Sequence, residues 1–242
     1  MIVAALRVRP ALAAALALTL ATAALGQAPV PSFADVRNAT PSSEARLVDR
    51  HGVELAGLRA DAATRRLGWT PLAEISPALQ AALIAGEDKR FHEHAGVDWP
   101  GLAVAAWDSL WRAADGRRPR GGSTLTMQLA GLLDPALRAP GGDARTLAQK
   151  WDQMEAARAI ESAWSKAQIL EAYLNLANYR GDLVGVRAAA YGLFGKAPSG
   201  LDARESAILV ALRLAWARIR GVFARPQVDT SGRVNVRVLR RD

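Results

Sequence analysis

The sequence predicts a mainly α-helical domain with a small β-hairpin near its start. Three observations carry this. Alanine is abundant and β-branched runs are sparse, which favours helix. From Pro77 onward apolar residues recur at helical spacing. Before that, RLVDRHGVEL within residues 46–58 places two short apolar stretches around Asp49-Arg50-His51-Gly52, a hairpin signal of modest strength.

The elements follow in order. Residues 1–9 carry Arg7 and Arg9, and 11–25 are apolar apart from two threonines. This is the layout of an export signal, with residues 1–26 forming a signal peptide or a membrane anchor. The apolar run of about 15 residues is short against the ~20 a spanning helix needs. Small residues before Gln27 suit cleavage, and both forms of leader stay open; either exports the chain. Residues 27–45, rich in Pro, Ser, Ala and Asn, read as a linker. Helices are expected at 77–87, 99–114, 124–133, 147–164, 166–177, 183–194 and 202–216. Ser76-Pro77 and Ser165-Lys166 supply opening caps. Pro140-Gly141-Gly142 marks a break within 138–143. The domain proper is placed at 46–212, followed by a basic tail at 213–242, read as disordered or diverged.

A chain of 242 residues suffices for one well-buried domain. No cysteine is present, which excludes disulfides and thiolate metal sites. The net charge of +8 suggests nucleic acid at first sight. Its distribution argues otherwise. Residues 11–210 hold 21 basic and 21 acidic side chains, so the excess lies wholly at the two ends. Basic ends suit anionic lipid, at roughly 1 kcal/mol per charge near the surface.

Four clusters could carry chemistry. In the first, Glu87 and Asp88 end an apolar helix, with Phe91 and His94 four and seven residues beyond Glu87. A continuing helix would bring Glu87, Phe91 and His94 to one face, and a carboxylate there can accept a proton from a sugar hydroxyl. In the second, Arg120-Gly121-Gly122-Ser123-Thr124-Leu125-Thr126-Met127-Gln128 sets two glycines and two hydroxyls before an apolar helix, the makings of a phosphate cradle. The third is a helix bearing Lys150, Gln153 and Arg158. In the fourth, Glu171 and Asn175 share a face at i, i+4 beside the apolar stripe of Ile169, Leu170, Tyr173 and Leu174. Taken singly, each is better read as ordinary structure: a polar helix end, an N-cap, a solvated face, a half-buried helix.

Their order changes the weighing. Glu87-Asp88, Phe91, His94 and Gly96 meet the motif ED-x-x-F-x-x-H-x-G. Gly121 to Thr126 with Gln128 meet GGST-[IL]-T-x-Q. Ile169-Leu170-Glu171, Tyr173, Leu174 and Asn175 meet ILE-x-YLN. Gly181, Gly185, Ala188–Ala190 and Leu193–Lys196 match the pattern that follows. The chain thus resembles glycosyltransferase family 51, the transglycosylase module of class A penicillin-binding proteins and monofunctional glycan polymerases, over about two-thirds of its length. Two departures resemble the C-type subgroup. Met127 stands where most members have Gln, and the third motif, RK-x-x-E, appears as Gln149-Lys150-Trp151-Asp152-Gln153. An amide at Gln153 hydrogen-bonds but carries no charge. The end differs from that subgroup, because residues 213–242 contain no Ser-x-x-Lys element of a transpeptidase domain.

The resemblance implies a lysozyme-like helical domain at the outer, periplasmic face of the cytoplasmic membrane. Its partners would be lipid II and the growing glycan chain, with other cell-wall synthesis proteins beside it and no nucleic acid. It implies Glu87 as catalytic base, oriented by Asp88 and His94. Arg120, Gly122, Ser123, Thr124, Gln128, Lys150 and Gln153 would bind substrate and pyrophosphate. Phe91, Glu171, Tyr173 and Asn175 would support them. No metal-ligand cluster demands a cofactor, although the family's chemistry admits magnesium or manganese. Two rivals remain open: a lytic enzyme of lysozyme-like fold, which needs an acidic Glu but no pyrophosphate cradle, and a truncated, non-catalytic remnant or scaffold that binds lipid II.

Overall fold

The computed structural model describes residues 30–61, 63–114, 122–137, 146–219, 227–228 and 234–235. By its internal contacts the chain divides into two units, Met1–Val30 and Pro31–Asp242, and the second holds every element described here. The leader, Arg120, Gly121 and the break at 138–143 lie outside the described residues.

Eight α-helices and three small sheets occur among the described residues. The first helix, α1 (Phe33–Asn38), falls inside the stretch expected to be linker. Its cause is local. The Ser32 side chain caps the Asp35 N–H, and Phe33 stands edge-on to both Trp69 and Trp164. The hairpin forms as expected, with β1 (Glu44–Val48) antiparallel to β2 (Glu54–Arg59). Asp49 closes its turn by accepting from the His51 and Val53 N–H groups, and Gly52 takes φ +81°.

Helices α2 (Pro77–Glu87), α3 (Trp99–Ala114), α4 (Leu125–Leu133), α5 (Leu147–Ala163) and α6 (Lys166–Leu176) begin and end within a residue of expectation. Capping explains the agreement. Thr146 with Gln149 and Ser165 with Gln168 form reciprocal capping boxes. Ser76 opens α2 differently: its hydroxyl donates to the Leu201 carbonyl.

One helix start and one domain boundary depart from the sequence reading. The one expected from 183 begins at Val186 as α7 (Val186–Phe194), because Gly185 has φ +84° and breaks helical geometry. Leu183–Val184 is instead a strand, β5, central in a three-stranded sheet between β3 (Arg65–Arg66, parallel) and β4 (Asn178–Arg180, antiparallel). The last helix, α8 (Ala203–Ile219), runs past the boundary drawn at Leu212. Arg213 is only 4 % exposed, so the helix is folded into the domain at that point rather than starting a tail. An arginine in a basic stretch gave no sign of that burial.

The core lies between α4, α5, α6 and α7, with α8 against α2. Leu125, Leu129, Ala157, Ile169, Leu174, Val186 and Ala189 are completely buried in it. Gly96, at φ +90°, lets the loop before α3 touch α5; a Cβ there would sit 2.8 Å from the Ala157 carbonyl group. Gly96→Ala should therefore lower the unfolding free energy by more than about 2 kcal/mol, through backbone strain and overpacking together. A urea midpoint equal to that of the unmutated protein would show this contact to be loose.

Candidate active site

The two adjacent carboxylates part at the end of α2. Asp88 leaves helical geometry at φ −156°, ψ 76°, so Glu87 and Asp88 serve different neighbours. The helix does not continue. Residues 88–94 fold back through turns in which Phe91 N–H donates to Asp88 O and Glu93 N–H to Arg90 O. His94 is thereby brought to Asp88 rather than into line with Glu87.

Asp88 is buried and fully engaged. His94 Nε2 lies 3.0 and 3.1 Å from its two oxygens, and Oδ2 accepts the Leu125 N–H at 2.9 Å. It thus joins the first motif to the opening turn of α4, where a carboxylate also complements the helix dipole. Thr124 caps the same helix. Its hydroxyl accepts from Met127 N–H and donates to the Gly96 carbonyl at 2.6 Å. The phosphate-cradle reading counted on these groups, and the structure spends them internally: the Leu125 N–H on Asp88, the Met127 N–H and the Thr124 hydroxyl on the cap.

Glu87 is held on one side only. Its Oε2 accepts from Gln128 Nε2 at 2.9 Å, while Oε1 is buried without a hydrogen-bond partner among the described residues. The Gln128 oxygen in turn accepts from Tyr173 Oη and Arg213 Nη2, each at 2.9 Å. Burial pushes the Tyr173 phenol far above its ordinary range, against the opposing pull of the Arg213 charge, so the phenol stays a proton donor.

A cleft of about 400 Å³ opens in front of these groups. Glu87, Asp88 and Lys89 from the end of α2 line it, with Gly122, Ser123 and Thr124 from the start of α4 and Leu102, Val104 and Ala105 from α3. The structure therefore brings Glu87 and Asp88 together with Gly122, Ser123 and Thr124. His94 and Gln128 stand behind them. Lys150 and Gln153, on α5, are not among the lining residues. Gln153 is buried and donates from Nε2 to the Met127 carbonyl at 2.7 Å, tying α5 to α4.

The supporting residues hold the frame. Glu171 accepts from the Trp69 indole and the Leu72 N–H. Asn175 exchanges two hydrogen bonds with the Thr70 backbone. Together they clamp residues 69–72 onto α6. Phe91 is fully buried beneath Lys166, whose ammonium lies 4.5 Å from the ring centroid. Lys166 also donates to the His94 carbonyl and to Glu161, which accepts from Thr126 as well.

Sequence reasoning missed three groups here. Lys166 and Lys89 sit inside motifs whose positions drew attention to their neighbours. Arg213 lies in a stretch read only as basic. The phenol of Tyr173, set in the apolar stripe of α6 and needing a buried partner, was the one signal pointing toward it.

A helical domain whose cleft holds one half-free carboxylate beside a hydroxyl-bearing helix start belongs to a recognisable class. The transglycosylase family matches this chain over residues 51–227, and the chain belongs to that family. It is similar to penicillin-binding protein 1C of Escherichia coli K12, at 42 % identity over 149 residues, 61 % of this chain and 18 % of that protein. It is similar also to the biosynthetic peptidoglycan transglycosylases of Rhodospirillum centenum and Pasteurella multocida, at 40 and 37 % identity over 60 % of this chain and 58 and 54 % of those proteins. The chain thus spans a little over half the length of these transglycosylases and under a fifth of the penicillin-binding protein.

At the cleft's edge Asp98 caps α3 and pairs with Arg90, at 2.6 and 2.7 Å from Nη2 and 3.1 Å from Nε. Burial acts to raise its pKa, but the Arg90 and Gly101 hydrogen bonds together prevail and hold it below the ordinary 3.8. A carboxyl with a depressed folded pKa stabilises the fold above its unfolded pKa and loses that contribution as pH falls through the folded value. Asp98→Asn keeps a capping side chain and removes the charge. It should cost about 1 kcal/mol or less near neutral pH, and the gap to wild type should close below pH 3.8. Unfolding midpoints across that range check it; a constant gap would deny the ion pair its role.

Proposed function

We propose that this chain polymerises lipid II into glycan strands as a peptidoglycan glycosyltransferase, with Glu87 as the general base. The observation that carries the reading is the state of Glu87. One oxygen is anchored by Gln128 and the other is buried without a partner beside a cleft that also holds Ser123. The family membership and the names of the relatives support the same chemistry.

The lipid-linked glycan chain is the donor and lipid II the acceptor. Glu87 Oε1 takes the proton of the acceptor's 4-hydroxyl. That oxygen bonds to the donor's anomeric carbon with inversion, and the bond to the pyrophosphate breaks, releasing the lipid diphosphate. Asp88 and His94 act indirectly, fixing where Glu87 and α4 stand. Ser123, the Gly122 backbone and Arg120 bind the diphosphates, and Lys89, which lines the cleft as Lys150 does not, adds a cation near the departing charge. Thr124 and Gln153 serve by holding α4. The described residues contain no cluster of three or more His, Asp or Glu that could hold a metal ion.

The substrates place the domain at a membrane surface. No helix among the described residues is long and apolar enough to cross a membrane. Helix α3, which lines the cleft, exposes Trp99, Val104 and Trp107, side chains suited to the lipid interface. The proposed location is the outer face of the cytoplasmic membrane, in the company of other cell-wall synthesis proteins.

The test is polymerisation of lipid II by the detergent-solubilised chain, read on a gel. Glu87→Gln should reduce the rate about 10²- to 10⁴-fold. A wild-type rate in that variant would remove Glu87 from the role. Consumption of finished glycan in place of lipid II would make the protein a lytic enzyme.

A further inference from the structure

Arg213 is a cation in an unusual position. It is 4 % exposed on α8 and is not among the cleft-lining residues. Nη2 donates to Tyr173 Oη at 2.6 Å and to Gln128 Oε1 at 2.9 Å. Nε and Nη1 are buried and have no hydrogen-bond partner among the described residues. A charge taken out of water beside neutral partners weakens a fold. Its presence one side chain behind a reactive carboxylate is better explained by function than by stability.

The donor inventory fixes the direction of the hydrogen bonds. A guanidinium only donates. Tyr173 accepts from it and passes its own proton to Gln128. Two donors therefore converge on one end of the Gln128 amide, which must be the oxygen, and the NH₂ end is left facing Glu87. Without Arg213 that constraint slackens. The amide can then turn its oxygen toward a carboxylate it would repel.

We propose that Arg213 is a positioning residue for glycosyl transfer: by donating to the Gln128 oxygen it orients the amide so that Glu87 Oε2 is held and Oε1 is left to accept the proton. The proposal rests on the reading of Glu87 as base. Arg213 itself exchanges no proton. The incoming proton goes to Glu87, and the electron pair of the breaking bond leaves with the pyrophosphate.

Four variants test it: Arg213→Met, Gln128→Leu, the two combined, and Arg213→Lys. Arg213→Met should lower kcat on the order of 10- to 100-fold, as misplacement of a catalytic group does, with KM within about twofold. The double variant should lose no more than the worse single one, because both act through one contact. Arg213→Lys, keeping charge and one donor, should recover part of the rate. Wild-type kcat in Arg213→Met, losses that multiply in the double variant, or a loss confined to KM would each overturn the proposal.

A second measurement needs no lipid II. The Nε2 proton pair of Gln128, assigned by its absence in Gln128→Leu, should exchange slowly with solvent in the unmutated protein and quickly in Arg213→Met. Equal protection in both overturns the proposal. Should Arg213→Met fail to fold, Arg213→Lys replaces it in both measurements, with partial losses expected and wild-type values counting against. If Glu87→Gln retains its rate while Gln128 protection still depends on Arg213, the assignment of the base fails and the clamp stands.

Discussion

The arrangement of the cleft depends on a single buried carboxylate, Asp88. Asp88 is bonded at once to His94 and to the first N–H of α4. Hydrogen bonds to a charged acceptor stabilise by about 1.5–3 kcal/mol each, which offsets the several kcal/mol that burying a carboxylate costs. Through Asp88 the end of α2, the loop to His94 and the start of α4 take one fixed arrangement. Glu87 and Ser123 meet in one cleft because the residue next to Glu87 is tied to the helix next to Ser123.

The same tie decides what the start of α4 has left to offer an anion. An α4 N-terminus with all its donors free would be an anion site by itself. Here Asp88 already occupies that end, and the Thr124 cap takes another donor. A second anion placed on the helix axis would face the Asp88 charge. The groups left at the cleft surface are Ser123, Gly122 and Lys89. Motif residues thus divide by direction: some face the cleft and some hold the frame. The motif alone does not say which.

That division explains what was legible in the sequence. Helix limits were legible because they are local. Caps at Thr124, Thr146 and Ser165 act within one turn. The meeting of Glu87 with Ser123 in one cleft was legible from motif order. The one-face relation of Glu87, Phe91 and His94 failed, because it assumed a helix that Asp88 ends. Gln153 was read for what its side chain could offer a ligand, whereas its amide is used on the Met127 carbonyl. Its partner is backbone 26 residues away, and no periodicity reports such a contact. Arg213 and Lys166 were missed for a related reason. A cation's burial depends on which element lies across from it, not on its neighbours in sequence.

Arg213 stands on α8, which packs against α2 where Gly86 faces Val210. A Cβ at Gly86 would lie 3.0 Å from Val210 Cγ1, so a larger residue there would force that side chain to give. One turn further along α8 stands Arg213, and one residue after Gly86 stands Glu87. The spacing that lets the two helices touch therefore also sets how far the guanidinium extends toward Gln128. The glycine before Glu87 and the arginine that bonds Gln128 thus belong to one helix–helix contact. The boundary drawn at Leu212 separated them, although the folded chain packs them together.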